Sequence, residues 1–143
     1  MEDLFETMVM VDPNLTHDPL NMQGGMGVIT QAFYEDCAAY VNFGYERIGV
    51  YNNDALFMLM PADVALEKLP SAIQEMHMHP LEVVDIFNIY MLHETGKSEQ
   101  QEKALDWALG NSRISKAVVF SVQDWIDFQI ERLDKQQNPG RGR

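Results

Sequence analysis

The stretch "NMQGGMGVIT", residues 21–30, decides how the rest of the chain is read. Three glycines, Gly24, Gly25 and Gly27, stand directly before a β-branched run. Glycines that cradle a phosphate must end a strand and open a helix, so that the first helical N–H groups point at the anion. Here the order is reversed. The glycines feed a strand, and no Lys-Ser/Thr pair follows. The phosphate-loop reading therefore fails on mechanism. The stretch reads instead as a hinge, with glycine supplying a tight turn and a close backbone approach where the first strand begins.

Downstream, residues 26–60 have a β texture. "MGVITQAF", "AAYVNFG", "ERIGVYN" and "DALFMLM" are short runs rich in Val, Ile, Tyr, Phe and Leu, parted by turn residues. Four short strands with one wet face cannot stand alone, so they are expected to curl into a small barrel or to pack on helices. Upstream, "DPNLTHDPLN" carries two Asp-Pro steps and reads as an ordered loop over 12–25. Leu4, Phe5, Met8, Val9 and Val11 have roughly helical spacing and suggest a short docking helix.

From 62 onward the texture is α. A first helix over 62–77 is expected to break or restart at Pro70. Pro80 opens "PLEVVDIFNIYMLHETG", and Gly96 lies past its end. Only Glu82, Asp85 and Asn88 interrupt its apolar character, which predicts the most buried helix of the set. Ser98 with Gln101 has capping-box spacing, and Gly110 marks the stop. Residues 111–120 fit a short helix or an extended segment. Ser121 caps the last helix, and "QQNPGRGR" reads as a disordered tail. The fold expected is thus one α+β domain. It comprises an N-terminal segment (1–23), a small curled sheet or barrel (about 24–60), about four helices packed on it (61–137) and a tail (138–143).

Composition narrows the function. The formal net charge is -12, and residues 1–60 carry nine acids against a single cation, Arg47. Phosphate neutralisation needs clustered Lys and Arg, so nucleic acid is not an expected partner. Arg141 and Arg143 on the tail read as a solvated terminus. No apolar run reaches the ~20 residues of a membrane span, and the acidic N-terminus is unlike a signal peptide. The expected location is cytoplasmic. The lone Cys37 rules out an internal disulfide and reads as a small buried hydrophobe. No catalytic motif and no cofactor signature is present, so the chain reads as non-enzymatic.

Two candidate sites emerge. The acidic loops around Glu35, Asp36, Glu46 and Asp54, with Tyr34, Tyr45 and Tyr51 as exposed aromatics, suggest a surface for another protein. Small barrels often present loops and an open strand edge to peptides, and a homodimer is compatible with the same surface. The alternative is metal or small-molecule binding by His77, His79 and His93. His77 and His79 are two apart, which suits a shared ion only if the backbone is extended. Ten methionines, Met58, Met60, Met76, Met78 and Met91 among them, read as packing between sheet and helices. Trp107 and Trp125 read as core anchors.

Two resemblances follow from these pieces. Gly24-x-x-Gly27-x-Ile29 resembles the KOW-type opening of SH3-like barrels. Taken in order, "DPLNMQGGMGVIT", "YVNFG", "ALFMLMP" and "NIYMLHETGKSEQQEKALDWALGN…VFSVQDW" resemble a family of small, uncharacterised Bacteroidetes-type bacterial proteins, over roughly residues 18–130. That resemblance implies an SH3-like β segment before a helical tail. It implies no catalytic residue.

Overall fold

The computed structural model describes residues 4–137 and shows an α+β fold, a six-stranded antiparallel sheet with five helices. The strands are β1 (Met8–Val11), β2 (Met26–Phe33), β3 (Ala38–Asn42), β4 (Ile48–Asn52), β5 (Leu56–Leu59) and β6 (Val119–Ser121). The helices are α1 (Ala62–Met76), α2 (Pro80–His93), α3 (Ser98–Leu109), α4 (Ser112–Val118) and α5 (Val122–Gln137). The tail with Arg141 and Arg143 lies outside the described residues.

The expected closure into a barrel does not occur. The spatial order is β4-β3-β2-β1-β5-β6, so β1 lies between β2 and β5, and β4 and β6 are unpaired edges. β1 pairs antiparallel with both neighbours, Val9 facing Gly27 and Met10 facing Phe57. The segment suggested as a docking helix is therefore a central strand. A four-residue apolar run such as Met8–Val11 fits either period, and pairing decides. β6 is the second strand from outside 24–60, formed where residues 111–120 change from helix to strand.

Successive strand residues face opposite sides of a sheet. Met8 and Val9 are both buried, as are Met58 and Leu59, so the β1–β5 region is covered on both faces. Helices α3 and α5 both contact β5. The β4 end is different. Its inner face, with Gly49 and Tyr51, packs against the 12–25 loop. Tyr51 donates its hydroxyl proton to the Asp18 carboxylate at 3.0 Å, and a Cβ on Gly49 would meet Leu20 Cδ1 at 2.9 Å. Asp18 also accepts the backbone N–H groups of Leu20 and Met22, so the Asp-Pro loop is tied down as an Asx turn.

Several helix details differ from expectation. α1 runs unbroken through Pro70. The carbonyl that Pro70 leaves without an intrahelical partner belongs to Leu66, and both residues are exposed, so the carbonyl is on the solvent side. α2 is not the most buried helix. Ile86, Ile89 and Tyr90 enter the core, while Leu81, Val84, Phe87 and Met91 form an exposed apolar stripe. The Ser98 capping box is absent. Lys97 is the N-cap, and the Gln101 amide donates instead to the His93 carbonyl. Ser121 does cap α5, its Oγ accepting the Asp124 N–H at 3.0 Å. Trp125 is buried as expected, stacked with Phe120 and Phe128, but Trp107 is 38% exposed. Cys37 is exposed, in a turn with φ 53°.

Candidate functional site

The open sheet has two edges, and they differ. β6 has three residues and passes directly into α5. Short edge strands are one way natural sheets avoid unwanted pairing. β4 has five residues, "IGVYN", with no charge, no proline and an uninterrupted register against β3. It lacks the devices that usually guard an edge.

Hydrogen bonding shows which groups the β4 edge offers. The Phe43 N–H donates to the Arg47 carbonyl at one end, and the Asn53 N–H to the Cys37 carbonyl at the other. With Val41 opposite Gly49 and Ala39 opposite Tyr51, the alternation of an antiparallel ladder turns Gly49 and Tyr51 toward β3. The N–H and C=O groups of Ile48, Val50 and Asn52 consequently point to the free edge. Their side chains are on the outer face. Ile48 is 53% and Val50 58% exposed, and Tyr40 lies across from Val50 on the same face.

The β3–β4 turn flanks this edge. Gly44, Tyr45 and Glu46 all have positive φ, at 87°, 52° and 64°. A left-handed backbone is uncommon outside glycine, and the run holds Tyr45 outward with 95% of its surface exposed.

The sequence-derived surface divides into separate parts. Tyr34, Glu35 and Asp36 occupy the β2–β3 turn, while Tyr45 and Glu46 occupy the turn at the other end of β3, roughly 14 Å away along a five-residue strand. Asp54 belongs with the first group, because Asn53 beside it bonds Cys37. Tyr51 is not an exposed aromatic. It is 5% exposed, and burial together with the Asp18 carboxylate pushes its hydroxyl pKa up.

The three histidines do not converge. His77 closes α1 in a left-handed conformation. His79 opens α2 as its N-cap, with Nδ1 accepting the Leu81 N–H and its own N–H donating to Glu82. Glu82 also pairs with Arg113 at 2.8 Å, and that bond holds its carboxyl below the usual range. His93 is at the far end of α2, roughly 20 Å from His79 along the helix. Burial keeps its imidazole pKa below the ordinary value, with the nearby Glu94 charge acting in the opposite direction. Among the described residues, no group of three His, Cys, Asp or Glu side chains is placed to hold a metal ion.

Sequence reasoning passed over Ile48 and Val50. The signal was there: an uncharged alternating strand between two turns, whose outer residues are β-branched. Missing was the sheet order, which makes β4 an edge. Comparisons with protein-family models, with curated proteins and with solved structures find no match for this chain.

Proposed function

We propose that this protein is an interaction module that adds an extended segment of a partner protein to its sheet at β4. The carrying observation is the β4 edge itself, with outward backbone groups at Ile48, Val50 and Asn52 and exposed β-branched side chains on Ile48 and Val50. Strand addition gains main-chain hydrogen bonds from such an edge and specificity from alternate side chains. Tyr45 and Tyr40 are suited to pack on the added strand, since exposed tyrosines commonly anchor interfaces.

Charge selects the partner. Asp54, Glu35 and Asp36 gather at the Asn52 end, with no cation among the residues of that turn. A segment carrying Lys or Arg beside Asp54 and apolar residues along Ile48 and Val50 complements this surface. A second copy does not. Antiparallel self-pairing centred on Val50 would set Glu46 against the Asp54 of the other copy, between chains of net charge -12 each.

The test uses a short synthetic peptide that alternates valine and threonine behind a pair of arginines. Val50 turns its N–H away from β3, so Val50→Pro blocks the edge and leaves the β3–β4 ladder intact. Saturable peptide binding by the native protein is expected, weakened about tenfold or more by Val50→Pro with Tm little changed. Val50→Lys is the second variant, because an edge lysine guards without altering the backbone. Undiminished binding in both variants, or a stable homodimer paired through β4, overturns the proposal.

A further inference from the structure

A hollow lies between β4 and the 12–25 loop. Val50, Tyr51 and Asn52 line it from the strand, and Leu15, His17 and Pro19 line it from the loop. Side chains of consecutive strand residues alternate between the two faces of a sheet. A hollow that touches Val50, Tyr51 and Asn52 together therefore runs along the edge of the strand, where the backbone groups of Val50 and Asn52 point outward.

The loop wall is tied in place. Asp18, between His17 and Pro19, is buried and accepts the Tyr51 hydroxyl proton and the N–H groups of Leu20 and Met22. The Asp12 N–H donates to the Ala55 carbonyl at 2.8 Å, and the Gln23 side-chain amide donates to the Leu15 carbonyl at 3.2 Å. A wall ordered in advance spares a ligand the cost of ordering it. Among the described residues, those that line the hollow include no Lys, Arg, Asp or Glu. An apolar group can enter without stripping water from a charge.

Size and position define what fits. The hollow measures about 150 Å³, and a cavity of roughly 150 Å³ holds a single benzene ring. On neighbouring strands, residues directly opposite each other turn their side chains to the same face. A strand added at β4 thus turns the residue opposite Tyr51 toward the Tyr51 face, where the 12–25 loop lies. Resting on the strand-addition reading, we propose that this hollow is the specificity pocket for the added segment and takes one phenylalanine side chain, at the position opposite Tyr51. Leu15, Pro19 and the Tyr51 ring offer it apolar contact, and the His17 imidazole offers a second flat surface. The fused rings of tryptophan are too large for the space. A threonine leaves most of it unfilled and forgoes those contacts.

The valine-threonine peptide with its arginine pair supplies the frame for the test, since valines set along Ile48 and Val50 leave the threonines on the Tyr51 face. The full chain is titrated with that parent peptide and with two forms in which a central threonine is replaced by phenylalanine or by tryptophan. The phenylalanine form should bind about tenfold more tightly than the parent, and the tryptophan form no more tightly. His17 and Pro19 are both exposed, so the His17→Ala/Pro19→Ala variant should fold with little change in Tm. It should bind the parent peptide as the native protein does and lose the preference for phenylalanine. Equal affinity for the phenylalanine and parent peptides, an equal gain with tryptophan, or a preference that survives the double variant would each overturn the pocket and leave strand addition standing. Binding of none of the three peptides would overturn both.

Discussion

Gly27 shows how one residue ties the opening stretch to the sheet. A Cβ there would sit 2.7 Å from the Asn42 carbonyl oxygen and 2.8 Å from Val41 Cγ1. The requirement is close approach of β2 to β3. Gly24 is needed for its backbone instead. It takes φ 75° in the turn where its N–H reaches the Val11 carbonyl. Gly27→Val should therefore cost about 1–3 kcal/mol and lower Tm by about 5–10 °C. Unchanged thermal melting would contradict the close-packed reading. His93 sets a pH dependence. Its folded pKa is lowered by burial, so the unfolded chain takes up a proton first as pH falls. Stability is full above about pH 6.5, the ordinary histidine value, and declines below it toward the lower folded value. Urea midpoints measured across that window should fall with pH in the native protein and flatten in His93→Gln. Parallel profiles would remove the assignment.

At the scale of elements, the sequence was most legible where a local signal is strong. Pro80 at the first position of α2, Gly96 beyond its end with φ 73°, and Ser121 on the N-terminus of α5 are where capping rules put them. The β texture of 26–60 became four strands, β2 to β5. What the sequence could not show is pairing between distant segments. Met8–Val11 is only four residues, too short for its period to distinguish strand from helix, and its place between β2 and β5 depends on contacts with residues 26–28 and 56–57. The sheet it joins is open, and the expected barrel is not formed. For α2, the apolar stripe of Leu81, Val84, Phe87 and Met91 looks in sequence like a second buried face, but it is exposed, while α2 packs on α3 and α4 and buries Ile86, Ile89 and Tyr90. The candidate sites follow the same pattern. The acidic turns were visible as composition, but their separation by the length of β3 was not.

The whole molecule combines a sheet sealed on both faces at its centre with an unguarded edge at β4. β1 lies between β2 and β5, and β4 and β6 do not pair with each other. Under the proposed strand addition, the acidic balance of the first sixty residues would favour a cationic partner segment over a second copy. Residue-resolved amide hydrogen exchange tests strand addition most directly. In the free protein, the Gly49 and Tyr51 amides should be protected by β3, while the Ile48, Val50 and Asn52 amides exchange rapidly. Addition of the arginine-valine-threonine peptide should slow Ile48, Val50 and Asn52 selectively. Protection of those three amides before any peptide is added, or peptide binding that leaves them unchanged, would contradict strand addition at β4.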